Sequence, residues 1–379
     1  MTYKLLPRFF YSFPFYSYFP RPKSRLVYNE PFPEKHTFFY NSARVALRVL
    51  LNSISDSILT IGIQAYTCQS VFQAIKKAGH NIVFIDLTND LKLDLVDLQN
   101  KITRIDVLII THTFGFPENI EEIFKIAKGK IIIEDCAHSF LSQYNSKYTG
   151  LFGDASFFST GLGKFPPIGN GGFSIINKPD VFPNFKKEYD KLPNNNILLS
   201  FKDLCKLFLF SYILKPPIYG LFTFKIGKKL DSHTDFLNKF SFNQRKGHKW
   251  LKPLLLQNFT LCNSLRDIHK QNANYLVTKL KIKLTINYLK NGNCPNFYAF
   301  PILINNRDNL INELLDVNIE AGKHFFKCIE WAKEFGYKMG DCPNTEKIIN
   351  NIIVIPIHSL VSKKHIITIA NKINESYSV

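Results

Sequence analysis

Short apolar runs bounded by polar or charged residues recur along the chain, and between them apolar positions fall at helical spacing. The clearest run is Ile131-Ile132-Ile133, which is short and β-branched and leads into Glu134 and Asp135. It predicts a buried strand with two acids at its C-terminal end. Ala155–Ser159 and Phe173–Ile176 read as strands, as do Ser57–Ile61, Asn81–Asp86, Asp106–Ile110 and Phe297–Ile304. Val45, Ala46, Val49 and Leu50 share one face of a helix that Asn41 or Ser42 can cap. Val71–Lys77 and Arg307–Leu315 predict further helices, and Leu254–Leu280 predicts one long helix. Strands alternating with helices at this spacing indicate an α/β fold with a mainly parallel sheet. Ligands of such sheets bind beyond the C-terminal ends of the strands.

Candidate chemistry concentrates in Ile131–Ile176. After the two acids comes a polar segment, then a strand, then a glycine-punctuated turn with one lysine, Lys164, and Gly169-Asn170-Gly171-Gly172. Loops at one sheet edge would thus bring a carboxylate and a lysine together. A lysine among apolar or cationic groups has a lowered pKa and forms Schiff bases with carbonyls. Pyridoxal phosphate (PLP) needs such a lysine, and an acid beside its pyridinium nitrogen. On chemistry alone Lys164 also reads as a solvated loop lysine, because lysines near glycines are common.

The stretch Glu134-Asp135-Cys136-Ala137-His138-Ser139, then Gly150-Leu151-Phe152-Gly153-Asp154-Ala155 and Phe158-Ser159, with Lys164 five residues on, resembles the sugar aminotransferases of the DegT/DnrJ/StrS type. These are PLP enzymes of the aspartate-aminotransferase fold (fold type I). The resemblance implies that Lys164 anchors the cofactor and later shuttles a proton, Asp135 pairs with the pyridinium nitrogen, His138 bonds the phenolic oxygen and Ser159 binds the phosphate. Ser42-Ala43-Arg44 stands where the family has Ser-Gly-Thr, a turn holding the phosphate at a helix N-terminus. Arg44 either supplies a charged phosphate contact or points to solvent, leaving the backbone amides of Ser42 and Ala43 to act. Cys68, in Tyr66-Thr67-Cys68, occupies the place of the aromatic residue that stacks on the PLP ring. Asn170 replaces the usual Glu and receives no firm role.

Thr111-His112-Thr113-Phe114-Gly115 matches a family loop, and His112 reads either as site-lining or as structural. Asn243-Gln244-Arg245 resembles the family's N-x-R element, with Gln257 twelve residues beyond Arg245. The match implies that Asn243 and Arg245 reach the cofactor of a neighbouring subunit, and hence a homodimer with shared active sites. Asn318–Gly322 matches a further family turn, and Asp341–Lys347 with Val354–His358 matches its C-terminal signature, with His358 read as structural. The resemblance covers about Phe38–Asn177 and Leu254–Ile373.

The implied organisation is a PLP-binding large domain over residues 1–250, with an N-terminal arm and an apolar insertion at about 178–243, and a smaller C-terminal α+β domain over 251–379. Within the insertion, Phe201–Ile226 is apolar and aromatic but broken by Asp203, Lys206, Lys215 and Pro216-Pro217. It is too interrupted for a simple membrane-spanning helix. It reads as a buried helical hairpin, an oligomer contact or a membrane-surface patch with basic flanks. Packing or oligomer contact is preferred to peripheral membrane contact.

Composition changes this picture little. Hydrophobic residues make up 45% of 379, which suits a packed core and argues against disorder. The net charge of +18 would favour phosphorylated or nucleotide-linked substrates, an anionic membrane surface or nucleic acid. No basic stripe interleaved with aromatics and no nucleic-acid motif accompanies it, so solvated lysines explain it and no nucleic-acid partner is expected. Seven cysteines without a repeated C-x-x-C spacing argue against a disulfide framework or a metal site and fit a reducing cytoplasm. The aromatic, proline-rich N-terminal segment lacks the compact apolar core of a signal peptide and reads as an arm over the body or a neighbour.

The function these readings imply is transfer of an amino group from an amino acid, typically L-glutamate, to a nucleotide-linked keto sugar, in the making of amino sugars or surface polysaccharides. The rivals are a catalytically altered, PLP-binding regulator or scaffold, and a sugar dehydratase relative. In the dehydratases a histidine typically replaces the lysine, so Lys164 argues for amino transfer.

Overall fold

The computed structural model describes residues 4–10, 12–19, 32–33, 36–161, 163–169, 171–226, 243–282, 284, 286 and 292–377; Asn170 lies outside them. A seven-stranded sheet dominates. Its strands are β1 (Thr37–Tyr40), β2 (Thr60–Gln64), β3 (Asn81–Ile85), β4 (Val107–Thr111), β5 (Ile131–Asp135), β8 (Ala155–Ser159) and β9 (Gly172–Ile176), in the order β1-β9-β8-β5-β4-β2-β3. Between β5 and β8 lie the two-residue strands β6 (Gln143–Tyr144) and β7 (Lys147–Tyr148). From β8 through β3 every pairing is parallel, while β9 runs antiparallel to both β8 and β1. The continuous Val/Ile/Leu character of β4 reflects burial of all five of its residues. The α/β reading with a mainly parallel sheet therefore holds.

Helix α1 (Ala43–Asn52) follows β1 and buries Val45, Ala46, Val49 and Leu50, the face its spacing predicts. Helix α2 (Gln69–Lys77) follows β2. Further along, strands β11 (Phe300–Leu303) and β12 (Ile352–Ile355) pair antiparallel, with helices Arg307–Asp316 and Lys363–Tyr377 beside them. His358 accepts no chemical task here: its Nε2 lies 2.7 Å from the carbonyl of Pro7, tying down the N-terminal arm. Leu5, Leu6, Phe10, Phe13 and Tyr18 of that arm are buried, so it packs over the body of its own chain.

Three expectations need correction. The strand expected over Ser57–Ile61 runs instead over Thr60–Gln64. Ser55 Oγ accepts from Ser57 N in a local turn, and the ladder begins where Thr60 pairs with Asn81. The single helix expected over Leu254–Leu280 is two, Leu251–Gln257 and Phe259–Lys279. At the break, Asn258 Nδ2 donates to the carbonyls of Leu254 (2.8 Å) and Ser17 (2.9 Å), competing for a helical acceptor. Lastly, the Phe201–Ile226 segment is not a buried hairpin. Helix α6 (Ile197–Ile213) and the π-helical turn Tyr219–Thr223 leave most of their large apolar side chains in solvent.

Candidate active site

Strand alternation separates the two acids that the sequence places side by side. Glu134, wholly buried, accepts from the backbone N–H groups of Gly150, Phe152 and Gly153, each at 2.7 Å. His112 Nε2 lies 3.0 Å from its Oε2, and the Glu118 amide donates to His112 Nδ1 at 3.1 Å. That amide fixes the tautomer: Nδ1 accepts, so Nε2–H donates to Glu134. His112 and Glu134 are thus a structural pair that shapes the Gly150–Gly153 loop. Cys136 Sγ joins them within 4.8 Å, but both Glu134 oxygens are already saturated by N–H donors.

Asp135 faces the other way. It is 2% exposed, and its Oδ1 accepts from Ala137 N at 3.0 Å. Burial pushes its carboxyl up to about 6, against the pull of the Ala137 amide, Lys164 and His112. A buried carboxylate so poorly compensated calls for a cationic or N–H partner.

Lys164 sits in the turn after β8, with its amide bonded to the Gly161 carbonyl at 3.0 Å. Its Nζ lies 2.7 Å from Nε2 of buried His138, and 5.4 Å from the centre of the Tyr298 ring. Burial lowers its pKa below the ordinary lysine value, with Cys68 and Asp135 acting in opposition. His138 is held well below its usual pKa by burial, then by Lys164 and His324. Its ring stacks on Tyr298 at 4.2 Å and 11°, and the Phe114 ring lies at 6.0 Å. Cys68 is the N-cap residue of α2, half-buried, and lies near Lys164.

On the far side of β8, Ser42 caps α1 without a side-chain bond, and its carbonyl accepts from Val45 N (3.1 Å) and Ala46 N (3.3 Å), so the N–H end of the helix opens beside it. Gly172 pairs with both Tyr40 and Ser159, and a Cβ there would lie 2.5 Å from Ala43 N. Only glycine lets the helix start settle this close to Ser159. Thr160 Oγ1, buried nearby, has no hydrogen-bond partner among the described residues. Asn41 connects the cradle to the N-x-R element: Asn41 Nδ2 donates to Asn243 O (2.7 Å), Arg245 N donates to Asn41 Oδ1 (3.3 Å), and Arg245 Nε donates to Asn243 Oδ1 (3.2 Å). Asn243 and Arg245 therefore lie beside their own chain's Ser42. Gln257 does not join them; its Nε2 donates to Ser17 O and Phe19 O of the arm.

The structure adds residues that sequence reasoning missed. Tyr298 covers His138, with its hydroxyl donating to Gly163 O at 3.0 Å. His324 is held in place by Tyr66, whose hydroxyl donates to its carbonyl at 2.7 Å, and burial lowers its pKa well below the usual value. Arg8 reaches the same place from the N-terminal arm, its Nη1 donating to Lys323 O at 2.8 Å. One signal was present in the matched motifs, namely the aromatic position of Thr113-Phe114-Gly115. Phe114, Phe297 and Phe325, all around this pocket, carry φ of 55°, 51° and 50°, a left-handed backbone uncommon for aromatic residues.

Three features fit a phosphorylated pyridine with a carbonyl: an uncompensated buried acid, a low-pKa lysine beside a neutral histidine, and a helix-start cradle that a single Cβ would fill. Comparison with known proteins agrees. A model of the DegT/DnrJ/EryC1/StrS aminotransferase family matches residues 32–186 and 256–374. GDP-perosamine synthase of Escherichia coli O157:H7 is 32% identical over 142 residues, an alignment spanning 36% of this chain and 38% of that protein. The PMP-form of a Streptococcus pneumoniae protein assigned as a sugar aminotransferase, Spr1654, superposes with a TM-score of 0.70 at 16% identity, covering 98% of this chain and 93% of that one. PseC of Helicobacter pylori, an aminotransferase involved in pseudoaminic acid biosynthesis, gives 0.67 at 18% identity, covering 92% and 88%. At these identities the structural likeness is one of fold.

Proposed function

The chain belongs to the DegT/DnrJ/EryC1/StrS aminotransferase family, and on that premise we propose that it is a PLP-dependent enzyme moving an amino group from an amino acid, L-glutamate, to a nucleotide-linked keto sugar. The observation that carries this is Lys164 Nζ lying 2.7 Å from His138 Nε2, close enough to buried Asp135 for the two charges to act on each other. A buried acid with its pKa near 6 and a lysine depressed by burial are what the cofactor's two ends require.

In this reading Asp135 would hold the ring nitrogen in its protonated form. The amides at Ser42 and Ala43, Arg44 and the Ser159 hydroxyl would hold the phosphate. His138 would bond the phenolic oxygen, and Cys68 would lie against the ring face. When bound, the cofactor supplies an electron sink for the C–H bond beside the amino nitrogen. Lys164 takes that proton on Nζ and returns it to another carbon. A neutral His138 next to it keeps the amine free of a competing cation, and the aromatic shell of Tyr298, Phe114 and Phe325 excludes water. The excess of basic residues would draw in a diphosphate-bearing substrate.

We take residues 1–250 as the cofactor-binding part and 251–379 as the smaller domain. The proposal includes a homodimer in which Asn243 and Arg245 reach the partner's phosphate site; its support is the Asn243-Gln244-Arg245 motif, while within the chain both residues are tied through Asn41 next to Ser42. The visible spectrum of the purified protein with PLP, before and after L-glutamate, is the test. A yellow band that bleaches with glutamate, and is missing as a lysine-bound species in Lys164→Ala, is expected. Failure to take up PLP in excess would refute the assignment of Asp135 and Lys164.

A further inference from the structure

We infer that residues 197–226 form a docking surface for an anionic lipid bilayer, on which the protein lies peripherally. Helix α6 is apolar over most of its circumference, with Lys202, Asp203 and Lys206 on one flank, more apolar face than a surface helix covered on one side can bury. One side only is covered. Ser200 and Leu207 face the body, and Leu207 lies beside Gly169 in the turn that follows Lys164. On the outer side Leu198, Phe201 and Leu209 are 76%, 61% and 57% exposed, at helical spacing along one stripe. The chain then turns through Pro216 and Pro217. The second arm is tied back by Thr223 Oγ1 donating to Ile213 O at 2.7 Å and by a hydrogen bond from the Tyr219 hydroxyl to Glu320. It presents Phe222 and Ile226, 62% and 59% exposed. A contiguous apolar patch of this kind marks an interaction site.

Charge selects the occupant. Lys202, Lys206, Lys215 and Lys225 are exposed among the apolar side chains. Asp203, the acid of this segment, already faces Lys206 at 3.8 Å. A second copy whose two-fold axis ran through this patch would set its lysines against one another, with Asp203 as the one acid in the segment. An anionic bilayer offers an apolar interior to the stripe and negative headgroups to the lysines. No helix among the described residues is long and apolar enough to cross a membrane, and α6 carries Lys202, Asp203 and Lys206 near its middle. The hairpin therefore lies in the headgroup layer rather than spanning it.

The test is flotation of the full-length protein with vesicles of phosphatidylglycerol and phosphatidylcholine, against phosphatidylcholine alone, at low and high salt, with assembly followed by sedimentation. Binding to the anionic vesicles is expected, weakened by salt and by about fivefold for each of Lys202, Lys215 and Lys225 changed to Gln. The double variant Leu209→Ser/Phe222→Ser should lose flotation while keeping the wild-type circular dichroism and melting temperature. No flotation with anionic vesicles, or flotation that survives both sets of changes, overturns the inference. So does a double variant that breaks up a larger assembly while still binding vesicles, which would assign the patch to a second copy.

Discussion

Lys164 Nζ and His138 Nε2 stand 2.7 Å apart, and a backbone amide decides which of them carries the proton between them. The Phe114 N–H, which can only donate, points at His138 Nδ1 from 3.4 Å. Nδ1 is therefore the acceptor, and the neutral ring bears its hydrogen on Nε2, on the side of Lys164 Nζ. Burial lowers the pKa of both groups, so the electrostatics agree with the geometry.

This arrangement fixes how PLP capture depends on pH. The rate of uptake by the cofactor-free protein should rise with pH through an inflection below the ordinary lysine range. In His138→Ala, water admitted beside Nζ should move that inflection upward, toward the value of a solvated amine. Rapid-mixing absorbance across a pH series reads both. A wild-type inflection at the solvated-lysine value would contradict the lowering of the Lys164 pKa by burial.

Asp135 makes a prediction about stability. Its folded pKa is raised from 3.8 to about 6, so the folded state binds more protons than the unfolded state between those values. Stability contributed at this site is present below pH 4 and falls as pH rises through 6, by about 3 kcal/mol in the cofactor-free protein. Asp135→Asn should remove that fall, becoming the more stable protein at neutral pH while losing its hold on PLP. Denaturant titrations at acid and neutral pH provide the check, and a variant no more stable than wild type at pH 7 would count against the buried, uncompensated acid.

Gly172 tests the phosphate cradle. Its missing Cβ would lie 2.5 Å from Ala43 N and 2.6 Å from the Phe158 carbonyl, both backbone atoms. Gly172→Ala should cost about 1–3 kcal/mol through displacement of the start of α1. Affinity for PLP should fall further than affinity for pyridoxal, which lacks the phosphate. Equal losses for the two ligands would move the phosphate site elsewhere.

Asp86 caps a helix from the far side of the chain. Its carboxylate accepts from Asn344 N, Thr345 N and Thr345 Oγ1, each at 2.8 Å, at the start of helix Pro343–Asn351, whose own N-cap residue, Cys342, makes no side-chain bond. Asp86→Ala should destabilise by about 2–4 kcal/mol, the sum of a lost cap and unsatisfied buried amides. Chemical denaturation measures it, and a change within 0.5 kcal/mol, roughly the scatter of surface substitutions, would show that water replaces the carboxylate.

Most of the elements, and the chemical inventory, were legible along the string of residues. The Ile131–Ile133 run, the face of α1 and the spacing from Asp135 through His138 and Ser159 to Lys164 are properties of neighbouring residues, and the structure keeps them in those elements. Hydrophobic periodicity and helix capping act over a few residues, which is why they can be read along a string. The tertiary structure decided what each group faces. Glu134 and Asp135 are adjacent acids, yet one is saturated by loop amides and the other left to an incoming partner, a difference set by where the Gly150–Gly153 loop lies. Asn258 broke a helix because the carbonyl of Ser17 arrived beside it, and Gln257 turned to the same arm instead of the pocket. Arg8, Tyr298 and His324 come to Lys164 from the two ends of the chain. The charge state of a buried group depends on the few groups packed within several ångströms of it, and segments hundreds of residues apart in sequence supply them only once the chain has folded.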